Sequence, residues 1–375
     1  MALESITHGH LGVVGQRGSE ELTGKVDAYL RQWDIGNGGT GKSVILQSEC
    51  PRFSTGEGKG VLLQSIRGYD LYIISDLFNY GVTYKMYGKT VPMSPDDHYQ
   101  DLKRIIMATN GKARRVTVIM TMLYEGRQHR RTSRESMDCA MALQELAGMG
   151  VENIITFDAH DARVQNAIPL CGFENVTPSH QMISALLRTV PDIEIEPSKL
   201  VVVSPDEGSM PRCIYYASVL ELDLGMFYKR RDYAHIKDGR NPIISHEFLG
   251  DGIEGKDVIV ADDMISTGDS FLSICEDLKA RGARRIFFFA TFGLFTEGVE
   301  AFDKAYERGM FERVFTTNLI YRPDYLKKCP WYTEVDMSKY IAYIIDTLNH
   351  DESISHLLDP VQRTRKKLAE HAKGE

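Results

Sequence analysis

No stretch of this chain approaches the ~20 consecutive apolar residues of a membrane-spanning helix. Excess positive charge is missing too: 52 acidic residues against 44 basic ones leave a net charge of −8. That excludes a general nucleic-acid binder, while a local basic pocket for a small anion stays open. The six cysteines, at positions 50, 139, 171, 213, 275 and 329, never form a C-x-x-C pair. They read as reduced thiols of a cytoplasmic protein without zinc or disulfides. The N-terminal MALESITHGHLG has no charged-then-apolar layout of a secretion signal. What is present, 375 residues with 43% hydrophobic and 26% charged content, fits a globular protein of two ordinary domains.

Residues 36–43, GNGGTGKS, match the phosphate-cradling pattern G-x-x-x-x-G-K-S in full. That pattern binds phosphate when a strand leads into it and a helix starts at its end, so that loop N–H groups and the helix N-terminus converge. Here the flanks have the opposite polarity. ELTGKVDAYLRQW (21–33) spaces its apolar residues as an amphipathic helix, and SVILQSE after the loop reads as a strand. A loop at a helix C-terminus faces outward carbonyls, which repel phosphate. The reading is therefore a glycine-rich connector, not a nucleotide site.

Six short apolar runs read as buried strands: LYIISD (71–76), VTVIMT (116–121), NIITFD (153–158), LVVVSPD (200–206), DVIVADD (257–263) and RIFFFAT (285–291). Runs apolar at every position belong to sheets covered on both faces. Helical patterns alternate with them at 96–111, 136–150 and 270–282. This alternation predicts an α/β fold with mainly parallel sheets flanked by helices. The pattern runs twice, giving two similar domains, 10–178 and 179–350, followed by a charged helical tail, 351–375, read as solvated.

In open parallel sheets ligands gather beyond the strand C-termini. After DVIVA come Asp262, Asp263, Met264, Ile265, Ser266, Thr267, Gly268, Asp269 and Ser270, then a helix. This strand–loop–helix order has the polarity that GNGGTGKS is without. Hydroxyls and loop N–H groups at a helix start suit a phosphate monoester, and the carboxylates suit sugar hydroxyls or hydrated magnesium. The bland alternative is an acidic pair that caps a turn.

VIVADDMISTGDS resembles the ribose-phosphate loop of type I phosphoribosyltransferase folds. Further matches narrow the resemblance to the ribose-phosphate diphosphokinases, or phosphoribosyl pyrophosphate synthetases: FSTGE (53–57), GRQHRR (126–131), FDAH (157–160), VVSPDEGS (202–209), FYKRR (227–231) and ESISHLL (352–358). They follow family order over nearly the whole chain. The resemblance implies transfer of the β,γ-diphosphate of ATP to ribose 5-phosphate with Mg2+. It implies His160 and Asp206 at the metal, Lys229 and Arg231 in a catalytic flap, and Arg127 and Gln128 on ATP. Thr55, Gly56 and Glu57 would reach the ATP site of a neighbouring subunit, making the protein a homo-oligomer, a dimer or a hexamer. Asp262, Asp263, Ser266, Thr267, Gly268, Asp269 and Ser270 would hold the ribose phosphate. No nucleic acid and no membrane enter this reading.

The match departs at four positions. Asp269 and Ser209 stand where the family has glycine, and His129 and Thr55 where it has aspartate. Two other readings stand beside the leading one. A phosphoribosyltransferase consuming phosphoribosyl pyrophosphate would share the Asp262–Ser270 loop but has no use for Arg127–Gln128 or Phe53–Glu57. A non-catalytic paralogue would be expected to lose Lys229 or the metal groups, and this chain retains both.

Overall fold

The structure, a computed structural model, describes residues 7–231, 243–250 and 252–373. In chain order the first part runs β1 (His10–Gly15), α1 (Glu20–Gly36), β2 (Ser48–Glu49), β3 (Val61–Leu62), β4 (Tyr69–Ser75), β5 (Thr83–Met86), β6 (Lys89–Pro92), α2 (Pro95–Thr109), β7 (Arg115–Met120), α3 (Asp138–Gly148), β8 (Asn153–Phe157) and β9 (Gly172–Val176). The second runs α4 (Ser179–Thr189), β10 (Leu200–Ser204), α5 (Met210–Leu220), β11 (Asp223–Arg231), β12 (Ile243–Leu249), β13 (Asp257–Ile265), α6 (Asp269–Ala280), β14 (Ile286–Gly293), α7 (Glu300–Glu307), β15 (Arg313–Thr317) and β16 (Tyr332–Val335). Helices α8 (Ser338–Asn349), α9 (Ser355–Leu358) and α10 (Val361–Ala372) close the chain.

The chain divides into two units, and the division is not contiguous. Residues 318–323 and 336–359 belong with 1–178, while 179–317, 324–335 and 360–375 form the second unit. The contiguous stretch 179–350 read from the sequence is therefore interrupted. Helix α8 packs on α1 of the first unit instead, presenting Ile341, Ile344 and Ile345 as a buried stripe. The 351–375 tail is also corrected: α10 lies on α4 and α5, with Thr364 buried against His180 at 3.0 Å. Only one face of that helix is solvated.

The first unit carries a five-stranded sheet in the order β1-β4-β7-β8-β9, parallel throughout, with Val13 opposite Tyr72, Tyr72 opposite Thr117 and Thr117 opposite Asn153. Its central strands β4 and β7 are buried nearly end to end, as their continuous apolar runs require. Helix α2 starts at a complete capping box between Ser94 and Asp97 with Pro95 in the first turn. It stops at Asn110, which takes the left-handed conformation.

The second unit carries seven strands in the order β12-β11-β10-β13-β14-β15-β16, parallel except for the antiparallel pair β11–β12. Its core stacks Phe271, Phe302, Phe311 and Trp331 beneath β13 and β14. The order steps from β10 outward to β11 and then back across to β13. β10 and β13 run parallel, but the order of strand addition reverses between them, the point at which open sheets leave a crevice beyond the strand C-terminal ends.

Candidate active site

In the second unit two loops meet at that crevice. The loop after β10 carries Asp206, whose Oδ1 accepts the Ser209 N–H at 3.1 Å, while the Ser204 hydroxyl donates to the Asp206 carbonyl at 2.7 Å. Ser209 is buried, and its hydroxyl donates to Oδ1 of Asp262 on β13. Arg212, in the first turn of α5, lies 3.9 Å from the same oxygen. Burial, then the neighbouring Asp263, pushes the Asp262 carboxyl up to about 7, against the opposing pull of Ser209 and Arg212.

Strand β13 continues two residues past the acidic pair, because Ile265 is buried and pairs with Gly293. Successive strand residues face opposite sides. Asp262 therefore turns to the Ser209 loop while Asp263 is buried behind it.

The loop Ser266–Ser270 leads directly into α6. Gly268 has φ +96°, and a Cβ there would stand 2.4 Å from the Phe302 ring, so both backbone and space demand glycine. Asp269 is the first helical residue and is exposed, as is Ser270. The Thr267 hydroxyl donates to Asp269 Oδ2 at 3.1 Å and accepts the Asp269 N–H at 3.4 Å. The proton of Thr267 is thus committed to a carboxylate inside the loop.

In the first unit the candidate residues sit on loops after neighbouring strands. Arg127 and Gln128 follow β7, in a turn closed by Gln128 N–H to the Glu125 carbonyl at 2.8 Å, with Glu125 at φ +52°. Arg127 is exposed. His160 follows β8, after Asp158 at φ +41°, and is also exposed. Because β7 and β8 are adjacent, their loops meet: the His129 and His160 rings lie 5.3 Å apart. His129 Nε2 is 3.7 Å from Asp161, and its Nδ1 is buried without a hydrogen-bond partner. Asp161 is held down to about 2 by hydrogen bonds from Arg163.

Thr55, Gly56 and Glu57 form a separate turn. Gly56 takes φ +96°, the Phe53 N–H donates to the Glu57 carbonyl at 2.7 Å, and the Thr55 hydroxyl donates to Glu57 at 2.8 Å. The turn is anchored on α2 by Arg52, which forks onto Asp101 at 2.6 and 2.9 Å. Phe53 at its head is 57% exposed, which suits a surface that meets something. Lys229 and Arg231 belong to β11, opposite His246 and Ile243 of β12. Their side chains, and residues 232–242 of the flap, lie outside the described residues. Arg212 was not singled out from the sequence. Its signal is positional, three residues after Ser209 on one face of a helix.

The N–H groups of GNGGTGKS are engaged by α1: Asn37, Gly38 and Gly39 donate to carbonyls of its last turn, and Gly41 donates to the Asp34 carboxylate at 2.7 Å. Next to it the Ser43 hydroxyl and the Val44 N–H donate to Asp27 at 3.0 and 2.8 Å. The strand read over SVILQSE shrinks to a single bridge, Ile45 to Val13, and the two-residue β2. Two hydrogen bonds tie the segment to the edge strand β1, from the Val13 N–H to the Val44 carbonyl at 2.9 Å and from the Leu46 N–H to the Val13 carbonyl at 2.8 Å.

The model of the N-terminal domain of ribose phosphate pyrophosphokinase matches residues 11–150, and that of the phosphoribosyl synthetase-associated domain matches residues 241–359. Together they take in more than half of the chain. This chain belongs to the ribose-phosphate pyrophosphokinase family. It is 27% identical over 312 residues to a ribose-phosphate pyrophosphokinase of Vibrio cholerae, covering 82% of this chain and 90% of that one. It is equally 27% identical to ribose-phosphate pyrophosphokinase A of Dictyostelium discoideum, covering 82% and 88%. The phosphoribosylpyrophosphate synthetase of Mycobacterium smegmatis shares the fold, with a TM-score of 0.72 at 20% identity over 91% of this chain and 99% of that one. Among the described residues, no group of three or more His, Cys, Asp and Glu side chains is gathered for a metal ion, and no helix is long and apolar enough to cross a membrane.

Proposed function

We propose that this protein transfers the β,γ-diphosphate of ATP to the anomeric hydroxyl of ribose 5-phosphate, releasing AMP. The observation that carries this reading is the hydrogen bond by which Ser209 of the loop after β10 reaches Asp262 on β13, beside a loop that opens a helix, in a chain of the pyrophosphokinase family. In it the N–H groups and hydroxyls of Ser266–Ser270 receive the 5-phosphate, and Asp262 orients the ribose hydroxyls, with the charge of the buried Asp263 acting on it from behind. Arg127 and Gln128 hold ATP, the guanidinium stacking on the base or forking onto phosphate. Lys229 and Arg231 stabilise charge that develops on the transferring group and the departing AMP oxygen.

A divalent cation, Mg2+, belongs to the same reading. The candidate ligands are an exposed imidazole in the first unit, His160, and a half-buried carboxylate in the second, Asp206; each would serve an ion that keeps its waters and binds mainly through substrate phosphates. Such an ion would supply charge neutralisation and in-line orientation of the triphosphate. The cytoplasm and a homo-oligomer, dimer or hexamer, complete the proposal. The test is AMP release from ATP. Release that depends strictly on ribose 5-phosphate supports the assignment. Release that needs phosphoribosyl pyrophosphate and a base instead makes it a transferase, and none at all makes it a non-catalytic paralogue.

A further inference from the structure

One cleft of the first unit is used by nothing above. It measures about 740 Å³ and lies between the end of α1, the start of β1, the Gly-rich connector and the end of α8. That volume falls in the range of small-molecule sites, about 300–1,000 Å³. Its floor is apolar, with Leu30 and Leu46 buried, and Trp33 and Tyr69 supply flat walls. Trp33 is held in place by stacking on Tyr343, ring centroids 4.4 Å apart.

The polar groups around the cleft divide into two sets. The acceptors are largely spoken for. Asp34 takes the Gly41 N–H, and Ser43 takes the Ile45 N–H while donating to Asp27. Asp346 lies 3.7 Å from His350, and burial raises its carboxyl above the usual range. The donors are not spoken for. Among the described residues Lys42 makes no hydrogen bond or ion pair, and His10 touches only the Tyr69 ring. Gln64 uses its oxygen on the Gln47 N–H and leaves its amino group, while the Nδ1–H of His350 is spent on the Asp346 carbonyl. Donors not tied to the protein, beside an apolar floor and flat walls, suit an anion with an apolar body.

We propose that this cleft binds a small aromatic carboxylate, with the ring between Trp33 and Tyr69 and the carboxylate on Lys42 and His10. One lysine with neutral donors, near Asp34 and Asp346, matches a single negative charge better than the two of a phosphate dianion. The lysine that completes the misleading phosphate-loop pattern thereby acquires a different anion.

The full chain is titrated with 2-naphthoate by calorimetry, alongside 2-naphthalenemethanol and inorganic phosphate. Saturable binding of naphthoate alone is the expected result, weakened at least about tenfold by Lys42→Glu and by His10→Ala, the scale for losing a charge-assisted hydrogen bond. Lys42→Arg keeps the charge and should retain binding. Both side chains are exposed, so folding is not at stake, and the neutral analogue tests the charge requirement without any variant. The proposal is overturned if naphthoate shows no saturable binding, if the alcohol binds as well, or if Lys42→Glu changes nothing.

Discussion

At the scale of single residues, Asp269 is the departure with the clearest consequence. Its carboxylate holds the Thr267 proton and brings negative charge into a loop proposed to receive a phosphate. A partly screened like-charge pair costs on the order of 1–4 kcal/mol at protein dielectrics. Asp269→Gly should therefore lower the Michaelis constant for ribose 5-phosphate by about tenfold, leave that for ATP alone, and do so more strongly at low salt. Steady-state kinetics at two ionic strengths check this; an unchanged constant at both would show that substrate turns the side chain away. Asp262 yields a pH prediction. Its carboxyl is raised to about 7 in the fold against an ordinary value of 3.8, so the folded state binds the proton more tightly than the unfolded one. Its contribution to stability is present below about pH 4 and is lost as pH rises through about 7. Melting temperatures of the ligand-free protein across that window should show the fall, and Asp262→Asn should flatten it. Of these features, the loop and its acids were legible in the residues. The turn of Thr267 toward Asp269 and of Ser209 toward Asp262 was not, because a hydroxyl's partner is a matter of rotamer and of a strand 53 residues away.

At the scale of elements, polarity relative to the flanking helix separated the glycine-rich connector from the Ser266–Ser270 loop. The connector after α1 is pinned by Asp27, so Asp27→Ala should cost about 1–3 kcal/mol by stranding the Val44 N–H. It should leave the ATP Michaelis constant untouched; thermal denaturation and kinetics on one preparation test both halves. Strand β11 carries Lys229, whose proposed work falls in the transition state. Lys229→Ala should lower turnover by roughly two to three decades, the scale for one oxyanion donor, with little change in ATP affinity. A raised Michaelis constant at unchanged turnover would remove it from that role. Continuous apolar runs announced β4, β7, β8, β10, β13 and β14. Strands such as β9, GFENV, went unread, because half-buried residues at a sheet edge leave no apolar run.

At the scale of the whole molecule, the exposed Phe53 turn carries the reading of shared sites. If Thr55, Gly56 and Glu57 serve a neighbour's ATP site, Glu57→Ala and Lys229→Ala preparations, each weak alone, should regain activity when mixed and allowed to exchange subunits. Activity that stays additive after exchange would place the turn in its own subunit's site. The sequence alone determined the α/β class, the parallel sheets, the family and the identity of the candidate loops. These rest on local properties: apolar period, loop-to-helix order and residue spacing. The tertiary structure decided what depends on distant segments. It assigned α8 to the first unit, laid α10 on the second, extended β13 past its acids, joined the loop after β10 to β13 through Ser209, and opened a donor-lined cleft beside the connector. Each of those outcomes follows from packing and hydrogen bonding between residues far apart in the chain, and no local pattern encodes which of several apolar faces a helix will choose.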